Sequence, residues 1–88
     1  MSCKVFIASP LRSYTHDAAT VPGRGASVAA VLTDLDARYP GMRFRIIDEQ
    51  DRIRPHIRLF VGAHEVSGLA EPVAAGDSVH LLCALSGG

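Results

Sequence analysis

Cysteine is scarce in this sequence: only Cys3 and Cys83 occur among 88 residues. Two cysteines cannot build a disulfide-rich scaffold, and they are too few for a four-cysteine iron–sulfur cluster. The close ligand spacings of a structural zinc site are missing as well, since His16, His56, His64 and His80 are scattered and none is tightly paired with a cysteine. Net charge is absent, because nine basic residues balance nine acidic ones. Such a balance supplies no general field for nucleic acid or an anionic membrane. Long apolar runs are also lacking. The longest stretch without Asp, Glu, Lys or Arg, residues 78–88, is far too short for a membrane-spanning helix. No signal peptide is visible, because Met1-Ser2-Cys3-Lys4 leads straight into a strand pattern. The expected compartment is the cytoplasm, where both thiols stay reduced.

The usual constellations of catalysis are missing too. There is no carboxylate pair and no Ser-His-Asp set. The stretch "GRGAS", residues 23–27, precedes a helix but carries neither the Walker pattern nor the full dinucleotide fingerprint. No catalytic residue, no metal site and no bound cofactor is therefore assigned. Repeats, linkers and low-complexity tracts are absent. What the sequence does have is 48% hydrophobic residues, enough for one modest core in a single domain, residues 1–88.

Periodicity places the elements. In residues 3–8, "CKVFIA", Cys3, Val5 and Ile7 share one face of a strand, and Lys4, Phe6 and Ala8 the other. Ser9-Pro10 and the polar stretch after it break that strand. Residues 15–23 form a weaker strand, ended by Pro22-Gly23. Val28, Val31, Leu32, Leu35 and Tyr39 fall at helical spacing, which predicts a helix over 28–39 with Ser27 as N-cap and Pro40-Gly41 as stop. Residues 42–47 form a short second helix, and 48–52 a polar loop. In the strand 56–62, Ile57, Leu59 and Val61 face one way, Arg58 and Phe60 the other. A short strand lies around Glu65-Val66. The last strand, Ser78 to Leu85, puts Val79, Leu81, Cys83 and Leu85 on one face and His80, Leu82 and Ala84 on the other. One helix against one sheet is a two-layer α+β domain.

That last strand runs into Gly87 and Gly88. Glycine orders at high entropic cost and packs no side chain. With average usage of about 7%, two glycines close a chain by chance only about 0.5% of the time. On the residues alone two readings stand: a frayed end, or a terminal carboxylate that is itself the working part.

Three stretches carry a family resemblance: "SPLRSYT" (9–15), "SVAAVLTDLDARYPG" (27–41) and "GLAEPVAAGDSVHLLCALSGG" (68–88). Through them nearly the whole chain resembles the MoaD/ThiS family of bacterial sulfur carrier proteins, and "SPLRSYT", "LTDLDARYPG" and "GDSV" look most like carriers of the cysteine-synthesis branch. The resemblance implies a ubiquitin-like β-grasp fold, a mixed sheet of four to five strands packed on one main helix, with a flexible tail at 86–88. It implies a carrier rather than an enzyme. A partner similar to ubiquitin-activating enzymes uses ATP to convert the Gly88 carboxylate to an acyl-adenylate. A sulfurtransferase or other sulfur donor then displaces AMP and leaves a thiocarboxylate. In the cysteine branch that group adds to a serine activated on a pyridoxal phosphate enzyme, and a metalloprotease releases cysteine. Related carriers serve thiazole, molybdopterin and other thio-metabolites. Because the sequence ends at Gly88, no trimming is expected before activation. Gly87 and Gly88 lack Cβ, so a tail of this kind threads a narrow channel and leaves the acyl carbon open to attack. Two rival functions follow from the same fold: a ubiquitin-like modifier joined through Gly88 to lysines, and a plain interaction module without chemistry at Gly88.

Further residues gain meaning beside such a tail. In the β-grasp arrangement the first, third and fifth strands adjoin, which makes Phe6, Phe60 and Leu82 an apolar patch on the face away from the helix, with Arg58 beside it. Exposed aromatics are favoured anchors for protein partners, although single surface hydrophobics are common. Arg52, Arg54, His56 and Arg58 form a basic stripe if that region is extended. Such a stripe either steers an acidic partner or is simply a solvated face. Cys83 departs from the family pattern, in which proline is common just before the tail. It is either an exchanging thiol or a small apolar residue of the last strand.

Overall fold

The alternation in the first residues becomes strand β1, Ser2–Ile7, in a computed structural model of the chain, which describes residues 2–83. Cys3, Val5 and Ile7 are buried and Lys4 is exposed. The chain then departs from expectation. Ser9–Thr15 is a 3-10 helix with Pro10 in its first turn, where a missing N–H costs nothing. Its buried Thr15 hydroxyl donates to the Ala18 carbonyl at 2.8 Å. His16 and Asp17 follow with φ of 54° and 68°, left-handed turn geometry that reverses the chain.

Strand β2, Thr20–Arg24, begins later than the predicted strand at 15–23. Pro22 and Gly23, expected to end it, lie inside it. The sheet order explains this. β2 is an edge strand, paired only with β1, Pro22 opposite Lys4 and Gly23 opposite Cys3. An edge residue has no second neighbour that needs its N–H, so proline is tolerated there. Gly23 faces the core, and a Cβ on it would lie 2.7 Å from Val5 Cγ2 and 3.2 Å from Val31 Cγ1. Close packing of strand on helix selects glycine at this point.

Helix α1, Val28–Arg38, buries Val28, Val31, Leu32 and Leu35, and Ser27 Oγ caps it by accepting from the Ala30 N–H at 3.1 Å. Tyr39, expected as its last residue, is the non-helical cap at φ −129° and ψ 80°, because Pro40 disfavours helical geometry in the residue before it. Asp36 Oδ1 accepts from the N–H groups of Gly41 and Arg43, both at 3.1 Å, and so fixes the start of α2, Met42–Ile46. Ile47 leaves the helix and makes an isolated bridge with Ile53. Strands β3, Ile57–Val61, β4, His64–Val66, and β5, Ser78–Cys83, complete the described chain. Ala84 and Leu85, expected to extend β5, lie outside the described residues.

The sheet order is β2-β1-β5-β3-β4, with β1 and β5 parallel and the other pairs antiparallel. α1 and α2 cover one face. Val5, Leu32, Leu35, Met42, Ile46, Leu59 and Leu81 are fully buried between the layers. This five-stranded mixed sheet on one main helix is the β-grasp fold.

Candidate functional site

β5 is the centre of the sheet and its last described residue is Cys83, opposite Ile57 of β3. Its other flank is β1, and just past that strand the Ala8 N–H donates to the Leu81 carbonyl at 3.0 Å. The segment leading to the tail is therefore held by backbone ladders on both sides. Gly87 and Gly88, with the rest of the expected tail at 86–88, lie outside the described residues.

The face of the sheet away from the helices carries Phe6, Phe60, Leu82 and Arg58, as the alternation implied. Leu82 is 41% exposed, Phe6 and Phe60 are half-buried, and Arg58 is exposed. The structure adds a residue to them. His80 is the register partner of Phe6 on one side and of Phe60 on the other. Its ring stacks on Phe6 with centroids 4.7 Å apart and an interplanar angle of 8°. The patch is thus an aromatic row across β1, β5 and β3, not a purely apolar surface. The period-two pattern put His80 on this face with Leu82, but only the strand order put it between two phenylalanines.

The next row is Arg58 opposite Leu82. Arg58 Nε and an Nη donate to the two carboxylate oxygens of Glu65 at 3.0 and 2.7 Å. Each stabilises the other's charge: the hydrogen bond from Arg58 lowers the Glu65 pKa, and the same bond raises that of Arg58. The guanidinium also lies 5.6 Å from the centroid of Phe60. Glu65, opposite Phe60 on β4, therefore fixes the polar rim of the row.

The basic stripe is not formed. Arg52 and Arg54 precede the strand, and residues 55 and 56 form a turn. Arg52 pairs with Asp48 at 3.5 Å, while Arg54 Nε donates to the Phe44 carbonyl at 2.7 Å. Alternation in the sequence became a stripe only on the assumption of extended backbone, and Asp48 instead folds the region by accepting from the N–H groups of Gln50 and Arg52, each at 2.9 Å.

Cys83 is half-buried at the edge of the core. Burial pushes its thiol pKa up, and the charge of Arg45 offsets this only in part. A raised pKa means less thiolate at neutral pH, so an exchanging role is disfavoured. His80 lies on the other face of β5. Cys3 is buried and its thiol is also pushed up, first by desolvation. Among the described residues no group of three or more His, Cys, Asp or Glu side chains could hold a metal. A shallow depression of about 600 Å³ lies at the start of β1 and β5, lined by Ser2, Thr20, Pro22 and Gly76. It is at the opposite end of the sheet from Cys83.

Residues 5–88 match the ThiS family. The chain belongs to that family. Among its relatives, this ThiS-family chain is 34% identical over 93 residues to the sulfur carrier protein CysO of Mycobacterium tuberculosis, covering all of both sequences. It is 32% identical over 66 residues to small archaeal modifier protein 3 of Haloferax volcanii, covering 72% of this chain and 71% of the relative. A chain of the Amycolatopsis orientalis BexX/CysO complex superposes with a TM-score of 0.91 at 29% identity, covering 98% of this chain and 99% of that one. By name the first of these relatives is a sulfur carrier and the second a protein modifier, rather than enzymes.

Proposed function

We propose that this chain is a cytoplasmic sulfur carrier that works through Gly88 and belongs to the synthesis of cysteine or another thio-metabolite. The single observation that carries the reading is the full-length likeness to a sulfur carrier, with a family match that runs to Gly88 itself. In the chemistry proposed, a partner enzyme joins the Gly88 carboxylate to AMP from ATP and releases pyrophosphate. Hydrosulfide, or a donor of equivalent sulfur, adds to the acyl carbon and expels AMP. The C–O bond to AMP breaks, a C–S bond forms, and Gly88 carries a thiocarboxylate. The acceptor proposed is an activated serine on a pyridoxal phosphate enzyme.

The aromatic row suits the docking such a cycle needs. Phe6, Phe60 and Leu82, with Arg58 at the rim, share a face with the strand that leads to the tail. A partner seated there would draw residues beyond Cys83 into its own site. The likeness of this chain to one crystallised in the BexX/CysO complex supports a docking role for this fold.

Intact mass tests the reading directly. The purified chain is incubated with a candidate adenylating enzyme, ATP and sulfide. A gain equal to sulfur minus oxygen, absent when Gly88 is deleted, is expected. No gain with any candidate activator, from a folded chain with Gly88 present, would sink it. A second reading, attachment to other proteins, is favoured by the likeness to an archaeal modifier. It predicts Gly88-dependent conjugates on a denaturing gel.

A further inference from the structure

Two large apolar side chains are exposed among the described residues: Leu82 at 41% and Phe44 at 60%. Leu82 belongs to the aromatic face. Phe44 does not. It stands on α2 between Met42 and Ile46, both fully buried, so the helix is anchored while this ring faces solvent. The ring is nonetheless held in place. The Arg54 guanidinium lies 4.5 Å from its centroid, and Arg54 Nε donates to the carbonyl of Phe44 itself at 2.7 Å. The Arg54 N–H donates to the Ile46 carbonyl at 2.9 Å, and the Arg54 carbonyl accepts from the Ile57 N–H at 2.9 Å. Ile57 pairs with Cys83. These contacts run from the ring through Arg54 to Ile57, which lies opposite Cys83 at the end of β5.

Charge is gathered at the same place. Residues 43–58 hold five basic and three acidic side chains, against four and six in the rest of the sequence. Arg43 and Arg52 are paired with Asp51 and Asp48. Among the described residues, neither Arg45 nor Arg54 has a carboxylate partner.

We propose that Phe44, Arg45 and Arg54 form a second docking edge for the adenylating partner, seated on an acidic surface with an apolar notch at the mouth of the cleft that receives the tail. The inference rests on the sulfur-carrier reading and extends it from the sheet face to the helix side of the exit. An ordered, exposed aromatic loses little freedom on binding, which favours it as an anchor. Cations without a carboxylate partner favour a carboxylate-bearing surface and speed encounter with it. Nucleic acid fits less well, because one aromatic makes no stacking platform.

The test uses the adenylating enzyme that thiocarboxylates the wild-type chain in the mass assay, with initial rates read as chain-dependent ATP–pyrophosphate exchange. Phe44→Ser and Arg45→Glu are each expected to raise KM for the chain about tenfold, the size of a typical interface anchor, with kcat held within about twofold. The control is Arg24→Glu on the far edge strand, and its KM is expected to stay at the wild-type value. If both test variants keep the wild-type KM, or if Arg24→Glu raises it equally, the second docking edge is refuted while the carrier reading stands. If the wild-type chain is dimeric and Phe44→Ser makes it monomeric without changing KM, the edge is a self-contact and the proposal falls. If no activator thiocarboxylates the wild-type chain, both readings fall together.

Discussion

Replacing Gly23 with alanine isolates one steric contact between sheet and helix. The added Cβ would lie 2.7 Å from Val5 Cγ2, 3.2 Å from Val31 Cγ1 and 3.3 Å from Cys3 Sγ. Optimal carbon–carbon contact is about 3.5–4.0 Å, so the first intrusion is roughly 1 Å. Val5 and Val31 are both fully buried, which leaves neither valine room to retreat. Overpacking of this kind costs about 1–3 kcal/mol. A domain of this size has a total stability of only about 4–13 kcal/mol, and each kcal/mol moves its melting temperature by roughly 4–8 °C. Urea unfolding of Gly23→Ala should therefore show a lower midpoint at unchanged slope. The decisive experiment is the cycle with Val5→Ala, which alone should cost about 2 kcal/mol through lost burial and a cavity. The double variant should be more stable than the sum of the singles by about 1 kcal/mol, because the new methyl fills the space that the valine vacates. Additivity within about 0.5 kcal/mol would refute the steric account.

Thiol chemistry and acid stability give further tests. Cys83 should react with iodoacetamide at neutral pH more slowly than free cysteine, since burial raises its pKa; a faster reaction would contradict the geometry at the end of β5. Asp48 has a lowered pKa, chiefly because the Arg52 N–H bonds to its carboxylate. A depressed carboxylate contributes stability above its unfolded pKa and loses it as pH falls through the folded one. Asp48→Asn should therefore flatten the decline of melting temperature below about pH 4, where unperturbed aspartate protonates. An unchanged acid limb would show that the loop does not depend on that charge.

Much of the architecture was legible because side-chain period reports backbone geometry directly. Cys3, Val5 and Ile7 marked β1, and the stripe from Val28 to Leu35 marked α1, with Ser27 capping it as expected. Local grammar failed where the tertiary setting decided. Pro22-Gly23 reads as a stop, yet an edge strand tolerates the proline and the packed helix selects the glycine. Arg52 to Arg58 alternates as a strand would, yet the Asp48 carboxylate folds its first half into a loop. The 3-10 helix at Ser9–Thr15 had no apolar period to announce it.

By itself the sequence determined which residues face the core, which face away, and that Gly87-Gly88 follows the last strand, because those properties depend on neighbours a few positions apart. The strand order put His80 between Phe6 and Phe60 and Glu65 on Arg58, and the connection from α2 to β3 put Arg54 against Phe44. Those contacts join residues up to about seventy positions apart. Only closure of the core could choose among such pairings, since backbone hydrogen bonding is indifferent to which strands it joins.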